Sequence, residues 1–403
     1  MELERQNPHW EGLVELPYAK KRWIWEELLA QLNHPWIVGL FGMRRVGKTV
    51  LLKQLIAHLI QQGVPAKNIL YFSFDEWGGE FWEVIKAYEK RMGKRVGRSH
   101  YLFFDEIQKV EDWQNKLKLL YDSSQPKIFI SGSASALLKR KESLAGRLKE
   151  IIVEPFSFPE FLYFIDEEWD PALTEKMERL YWQWVKRPFP ELVFHDYEGY
   201  VESLIEKVIY IDIPRIYKVE ETDRLFALVE LVRKSPGFLI EYQKLSSLLG
   251  LGRNTVARYV KYLEDAFVIR LLYNYSSNPF KSAKKMKKVY PYVPAFSLGD
   301  EPHTIETAVA FDLGAQFFYR DKEKREIDFI TPVAAVEVKY KNRIRWEELQ
   351  FLKEYATQSG LKGITITKSK IGEKDGLEFI PYTHLPFSQY ARWRVHILRK
   401  HAH

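Results

Sequence analysis

The segment GMRRVGKT, residues 42–49, has the residue types and spacing of a loop that binds phosphate groups. Its glycines let backbone N–H groups turn toward a phosphate, and the start of a following helix adds a positive dipole. Lys48 can reach β- and γ-phosphate oxygens, and the Thr49 hydroxyl can bind Mg²⁺. A glycine-rich turn without a ligand is the alternative. We predict a site for ATP or ADP with Mg²⁺, formed by Gly42, Arg44, Arg45, Val46, Gly47, Lys48, Thr49 and Val50.

Two adjacent carboxylates, Asp105 and Glu106, follow the apolar run of residues 101–104. In this position Asp105 would hold the magnesium ion through water, and Glu106 would orient or deprotonate the attacking water. The second acid favours hydrolysis over nucleotide binding alone. The alternative is a pair of acids on a solvated loop.

A second group of charged residues lies near the C-terminus, in KREIDFITPVAAVEVKYK and the helix before it. Asp328 closes one predicted strand, and Glu337 and Lys339 alternate on the next, so they share a face. Asp328 and Glu337 can hold one or two Mg²⁺ or Mn²⁺ ions, and Glu306 can complete the shell. Lys339 would then polarise a water that attacks a phosphodiester. A half-buried strand with alternating charge and valine is the alternative.

The predicted elements place these residues at strand ends. Alternating strands and helices in the first 133 residues predict a doubly wound parallel sheet. Two short helices separated by a glycine-containing turn, then a strand-like run, predict a winged helix-turn-helix within 234–273. Its helices are predicted at Gln243–Leu249 and Asn254–Leu263. A later helix near 304–315 and strands near 317–319, 325–330 and 333–339 predict a second α/β unit.

The composition excludes several classes of protein. Since the chain has no cysteine, disulfides, thiolate zinc sites and cysteine nucleophiles are excluded. The 46% hydrophobic content is typical of a folded globular chain. No apolar run is long enough to span a membrane, and the first residues do not resemble a secretion signal. We expect a soluble, cytoplasmic protein.

The positive charge is concentrated in the C-terminal part. Residues 251–403 carry 26 Lys and Arg against 17 Asp and Glu, and Lys281–Lys288 contains five lysines in eight residues. Such lysines make salt-sensitive contacts with phosphates, so duplex DNA is the expected partner. Near the start of the second predicted helix lie Arg253, Asn254, Thr255 and Arg258, where a recognition helix meets DNA. A spacer between protein domains and a solvated charged face are the alternatives.

Together the motifs GMRRVGKT, LFFDEIQKVEDW, ISGSASALL and LAGR with VEPFSFPEF resemble a family of archaeal and bacterial ATPases. These are AAA-superfamily ATPases that carry a C-terminal domain of unknown function, and the resemblance runs from about Pro17 to about Ile366. It implies that Ser131 or Ser133 senses the γ-phosphate. It also implies that Arg147 is an arginine finger, acting within its own chain or in a neighbouring subunit of a homo-oligomer. An ordinary surface or core-capping arginine is the alternative.

The C-terminal acids resemble the PD-(D/E)XK nucleases, although Ile327 stands where the motif has proline. We therefore expect an α/β protein of three domains. These are an AAA-type P-loop ATPase domain at 1–213, a winged helix-turn-helix at 214–280 and a PD-(D/E)XK nuclease-like domain at 281–403. One hypothesis is a magnesium-dependent ATPase whose C-terminal half engages DNA, either cutting it by metal-dependent hydrolysis or only holding it. The other is a nucleotide-switched signalling or scaffold ATPase that binds a protein partner.

Overall fold

A computed structural model describes residues 3–13, 18–75, 79–133, 144–195, 197–276 and 286–392. The chain divides into two compact units, residues 1–155 and residues 156–403. Each unit has its own β-sheet. The segment 156–213, which was predicted to belong to the ATPase domain, is grouped with the second unit, and the three-domain division stays a prediction.

The first unit is built on a five-stranded parallel sheet with the strand order β2-β3-β4-β1-β5. The strands are β1 (Ile37–Gly42), β2 (Ile69–Ser73), β3 (Tyr101–Asp105), β4 (Lys127–Ser133) and β5 (Leu148–Ile152). The helices are α1 (Leu3–Gln6), α2 (Trp25–Ala30), α3 (Lys48–Gln61), α4 (Phe81–Met92) and α5 (Trp113–Ser124). The predicted parallel sheet is confirmed.

Burial explains why the central strands are continuous apolar runs in the sequence. All six residues of β1 are buried, as is every residue of β3 except the first. A strand in the middle of a parallel sheet is covered on both faces, so it needs apolar side chains throughout. The C-terminal ends of parallel strands meet at one edge, and the loop after β1 and the acids after β3 therefore come together.

The second unit begins with helices and continues into a mixed sheet. Its first helices are α6 (Phe158–Phe164), α7 (Thr174–Lys186), α8 (Pro190–Phe194), α9 (Tyr200–Lys207), α10 (Ile213–Ile216) and α11 (Thr222–Lys234). Later helices are α12 (Tyr242–Leu249), α13 (Arg253–Asp265), α14 (Glu301–Leu313) and α15 (Gln350–Ser359). The strands are β6 (Phe238–Leu239), β7 (Ile269–Asn274), β8 (Lys287–Pro291), β9 (Phe317–Arg320), β10 (Glu326–Ile330), β11 (Ala334–Lys339), β12 (Lys362–Thr367), β13 (Gly372–Lys374) and β14 (Leu377–Pro381).

These nine strands form one sheet in the order β13-β14-β12-β11-β10-β9-β7-β8-β6. Strands β7 and β9 join the two ends of this sheet. They pair in parallel through Tyr273 with Phe317 and Asn274 with Phe318. The Asn274 side chain strengthens this pairing, because its amide donates to the Arg320 carbonyl at 3.0 Å. The predicted boundary at 280 falls between β7 and β8, which are neighbours in this sheet.

The helix pair predicted in the second unit is present, with α12 ending at Leu249 and α13 beginning at Arg253. Gly250 has a φ of 66°, a left-handed conformation that glycine adopts readily at the end of a helix. Strands β6, β7 and β8 adjoin this helix pair in sequence. In the part of the chain described here, no helix has both the length and the apolar character needed to cross a membrane.

Candidate functional site

The loop of residues 42–47 has a backbone that only a few residue types tolerate. Gly47 has a φ of 92°, and a Cβ atom at Gly42 would lie 2.2 Å from the backbone oxygen of Val153. The two glycines of the motif are therefore required by the fold itself. Arg45 also lies in the left-handed region, with a φ of 64°. Gly47 immediately precedes α3, so its position at the helix N-terminus favours a bound anion.

Two long side chains hold this loop. Lys48 is almost fully buried, and its Nζ donates to the carbonyl oxygens of Met43 at 2.6 Å and Gly42 at 3.2 Å. Arg22 reaches the loop from before α2, donating to the carbonyl of Val46 at 2.6 Å and to that of Glu154 at 2.8 Å. The ammonium of Lys48 is thus kept inside the curve of the loop. The sequence near Arg22 does not predict these two hydrogen bonds, because the partners are 24 and 132 residues away.

Asp105 is the centre of a hydrogen-bond network at the end of β3. Its Oδ2 accepts from the Thr49 hydroxyl at 2.6 Å and from the Tyr71 hydroxyl at 2.9 Å. Its Oδ1 accepts from the Ser131 hydroxyl and from the backbone N–H of Glu106 at 3.2 Å. Burial, together with the charge of Asp105, raises the pKa of Tyr71 well above its usual range, so this phenol stays a donor.

Glu106 projects from a strained turn just after the strand. Its φ is 55°, an uncommon value for a residue with a side chain. The Gln108 amide donates to its carboxylate Oε2 at 2.5 Å, and the side-chain oxygen of Gln108 accepts from the backbone N–H of Ser133 at 3.3 Å. Gln108 therefore links the predicted base to the end of β4.

The two candidate sensor serines have different surroundings. Ser131 is fully buried and its hydroxyl is bonded to Asp105, so it positions that carboxylate. Ser133 is half-buried and pairs with Gly42 in the sheet register, which places it beside the phosphate-binding loop. The geometry therefore favours Ser133 as the sensor.

Arg147 lies at the opposite edge of the sheet. Its backbone oxygen accepts from Ile37, the first residue of β1, and its guanidinium pairs with Asp122 at 3.0 Å. The phosphate-binding loop follows the last residue of β1, roughly 17 Å further along at the rise of a strand. Arg147 therefore does not reach the loop of its own chain, and a role in a neighbouring subunit stays a prediction.

The donor set at the end of β1 and β3 fits a magnesium ion. Hydroxyl and carboxylate oxygens are the ligands that this hard cation prefers. Thr49 and Asp105 supply one of each, and their oxygen atoms lie 2.6 Å apart. The sequence-predicted nucleotide and magnesium residues are thus brought together.

Two regions of the chain match models of known protein families. Residues 34–162 match the model of a family described as an AAA domain. We refer to these residues as the AAA domain. Residues 189–292 match a second model, described as a domain of unknown function (DUF8612). The AAA domain contains β1 to β5 and the whole hydrogen-bond network around Asp105.

Relatives of the chain are found in bacteria and archaea. An uncharacterized protein of Haemophilus influenzae is 29% identical over 256 residues, 60% of this chain and 64% of the relative. Uncharacterized protein MJ1637 of Methanocaldococcus jannaschii is 25% identical over 289 residues, 64% of this chain and 61% of the relative. The matched region thus spans less than two thirds of either relative.

Among solved structures, the chain is similar to the Walker-type ATPase PABY2304 of Pyrococcus abyssi. The TM-score is 0.35 at 16% identity, covering 68% of this chain and 93% of that one. For a RuvB mutant of Thermotoga maritima the TM-score is 0.30 at 18% identity, covering 65% and 94%. The AAA domain is identified from the family match and from the geometry of the loop.

Outside the AAA domain, the predicted C-terminal acids lie on neighbouring elements around a buried lysine. Lys288 on β8 is 5% exposed, and its Nζ lies 2.6 Å from Glu326, 3.8 Å from Asp328 and 3.9 Å from Glu306. The Tyr290 hydroxyl donates to Glu306 at 2.5 Å. We call these residues, together with Glu337 and Lys339, the acidic cluster.

The other predicted residues of the cluster are also paired within the protein. Asp328 Oδ2 accepts from the backbone N–H of Val338 at 2.8 Å, and Lys339 Nζ lies 2.5 Å from Glu337 Oε1. Glu337 Oε2 and the Thr365 hydroxyl opposite it in the sheet are buried without a hydrogen-bond partner. In the described residues, no three His, Cys, Asp or Glu side chains form a group that could hold a metal ion. Glu306 and Asp328 both face the Lys288 ammonium, and the three-carboxylate metal site stays a prediction.

Burial in this cluster raises the pKa of two carboxyl groups. The pKa of Glu306 is raised to about 7 and that of Glu337 to about 8, first by loss of solvent and second by the charge of Asp328. The nearby lysines oppose both shifts. Both groups therefore hold a proton more readily than in the unfolded chain.

The raised pKa of Glu337 predicts a loss of stability with rising pH. Its contribution is full below about pH 4, the range of an unfolded glutamate, and is lost as the pH rises through about 8. We expect the unfolding midpoint of Glu337→Gln to fall less than the parent midpoint between pH 5 and pH 8, by about 3 °C or more. Calorimetry would measure it, with the exposed Glu347→Gln as control. Equal slopes in parent and Glu337→Gln would contradict the assignment.

The residues predicted to contact DNA fall into three groups. Arg253, Asn254 and Arg258 are exposed at the start of α13, and Thr255 is half-buried there. In the run of residues 281–288, the lysines at 281, 284 and 285 lie outside the described residues. Lys288 is buried in the acidic cluster, so the prediction that it contacts DNA is wrong. Lys287 is half-buried, with Nζ 4.9 Å from the centre of the Tyr273 ring.

Proposed function

We propose that this protein is a magnesium-dependent ATPase whose C-terminal unit engages DNA. The observation that carries the ATPase proposal is the 2.6 Å contact between Thr49 and Asp105, at the mouth of the loop that encloses the Lys48 ammonium. This contact joins the phosphate-binding loop to the strand that carries the predicted base. The AAA family match supports the same activity.

In this proposal, each residue of the site in the AAA domain has its own role in hydrolysis. Lys48 and the backbone N–H groups of the loop bind the β- and γ-phosphates. Thr49 and Asp105 would hold the magnesium ion, which supplies positive charge to the phosphate oxygens. Glu106 accepts a proton from the attacking water, and Ser133 contacts the γ-phosphate. Tyr71 and Ser131 keep the Asp105 carboxylate in place.

A phosphate-release assay tests this proposal on the full chain. We expect ATP turnover with Mg²⁺, none in excess chelator, and faster turnover when duplex DNA is present. Turnover that persists in chelator would contradict the magnesium site. Hydrolysis without any effect or binding of DNA would favour the alternative, an ATPase that docks a protein partner.

The DNA proposal is supported by the exposed cations on the helix pair. Arg253 and Arg258 lie at the exposed start of α13, the second helix, in the position where helix-turn-helix proteins meet the major groove. The winged-helix interpretation is supported by strands β6, β7 and β8, which are neighbours in the sheet. We propose binding without cleavage, because the acidic cluster is occupied by Lys288.

Salt dependence should identify the DNA contacts. Duplex affinity should fall steeply with salt, and Arg253→Ala with Arg258→Ala should flatten the log–log slope by about 0.9 for each phosphate that the variant no longer neutralises. Lys261→Ala is the matched control, because Lys261 is on the same helix and paired with Asp265 at 2.6 Å. Fluorescence anisotropy at several salt concentrations measures the slope. If the slope were the same in the parent and in the arginine variants, the DNA surface would lie elsewhere.

A further inference from the structure

The acidic cluster contains a cation that belongs to the chain. Lys288 and Tyr290 alternate on β8 and Glu326 and Asp328 alternate on β10, so each pair shares a face of its strand. Helix α14 adds Glu306. The Lys288 side chain is 7% exposed, and its ammonium lies within 4 Å of all three carboxylates. A buried ammonium with three acid neighbours is a fully compensated charge.

A divalent ion at this position would need the carboxylate oxygens that the Lys288 ammonium already contacts. Mg²⁺ and Mn²⁺ need several oxygen ligands at short distance and a space free of other cations. Glu306 and Asp328 are the only acids besides Glu337 that the sequence offered as ligands for such an ion, and both face Lys288. An added ion between them would have to displace the ammonium or share the carboxylate oxygens with it.

The remaining oxygens of the predicted site are largely occupied as well. Asp328 Oδ2 holds the backbone N–H of Val338, and Glu337 Oε1 holds Lys339. Glu337 Oε2 is buried without a partner, but one carboxylate oxygen cannot bind Mg²⁺ or Mn²⁺ by itself. No group of three or more His, Cys, Asp or Glu side chains that could hold a metal ion is present among the described residues.

We propose that Lys288 is the resident cation of the acidic cluster, taking the place of a divalent metal ion. The cluster is then an internal ion-pair centre that ties β8 to β10 and α14. It binds no Mg²⁺ or Mn²⁺ and does not cleave phosphodiesters by metal-assisted hydrolysis. This inference does not depend on ATP hydrolysis or on DNA binding in the proposed function.

A manganese titration tests it on the full chain without nucleotide. Free Mn²⁺ is followed by its electron paramagnetic resonance signal in the parent protein and in Asp328→Asn. We expect the two titrations to coincide, because any weak binding near the AAA domain is common to both. One extra Mn²⁺ per chain in the parent, absent in Asp328→Asn, would overturn the proposal.

Removing the ammonium should create the metal site that the parent lacks. We expect Lys288→Met to unfold at a lower temperature than the parent and to regain several degrees in millimolar Mn²⁺, with about one ion bound per chain. Lys287→Met is the matched control, since its side chain leaves the same strand on the opposite face and lies over Tyr273. Lys288→Met that is as stable as Lys287→Met and gains no Mn²⁺ would overturn the proposal. Should Lys288→Met not fold, the titration of the parent against Asp328→Asn decides.

Discussion

Glu106→Gln should lower ATP turnover by about a hundredfold or more while leaving nucleotide affinity within about twofold of the parent. The amide keeps the size of the carboxylate and its contact with Gln108, which lies 2.5 Å away in the parent. It cannot take a proton from water. The phosphate-binding loop is untouched, so the ground-state complex should form normally. Single-turnover hydrolysis and equilibrium binding of a fluorescent ATP analogue separate the two effects.

The control for this substitution is Glu111→Gln, an exposed acid on the same loop. It makes the same change of charge without touching the network of Asp105, so its turnover should match the parent. Hydrolysis by Glu106→Gln at the parent rate would show that another group activates the water.

Lys48→Ala should weaken ATP binding by about tenfold to a hundredfold, the range expected for the loss of one charge-assisted hydrogen bond. The ammonium is buried within the loop, and its hydrogen bonds to the carbonyl oxygens of Gly42 and Met43 can be replaced by bonds to a phosphate. Isothermal titration with ATP and Mg²⁺ measures the loss.

Lys53→Ala provides the comparison for this second change, since Lys53 is exposed on the same helix. Its affinity should stay close to that of the parent. If Lys48→Ala bound ATP as tightly as Lys53→Ala, the loop would not be the nucleotide site.

In the AAA domain, local sequence was enough to predict most of the site. The apolar runs before Gly42 and before Asp105 each predicted a buried strand, and a parallel sheet brings their ends together whatever the intervening sequence. The sequence did not predict the contributions of Tyr71 and Gln108 to the site. A tyrosine within an apolar strand is indistinguishable from a core aromatic residue until its hydroxyl is seen 2.9 Å from Asp105.

In the C-terminal unit, the sequence pattern predicted where the acids lie but did not indicate that Lys288 contacts them. The spacing of Asp328, Glu337 and Lys339 fixed their place on two adjacent strands, β10 and β11, because side chains alternate along each strand. Lys288 was interpreted as part of a solvated basic run. Its burial depends on strand pairings made far along the chain, and a run of lysines carries no sign of which one turns inward.

The pairing of β7 with β9 has a consequence for how this protein can be cut into pieces. A fragment ending at residue 280 would keep β7 and lose both of its neighbours, exposing unpaired N–H and C=O groups that invite aggregation. A fragment beginning at residue 281 would leave β9 paired with β10 alone and would take both neighbours from β8. The strands next to the helix pair and the strands of the acidic cluster are therefore parts of one continuous sheet, and a fragment made to study either one has to contain both.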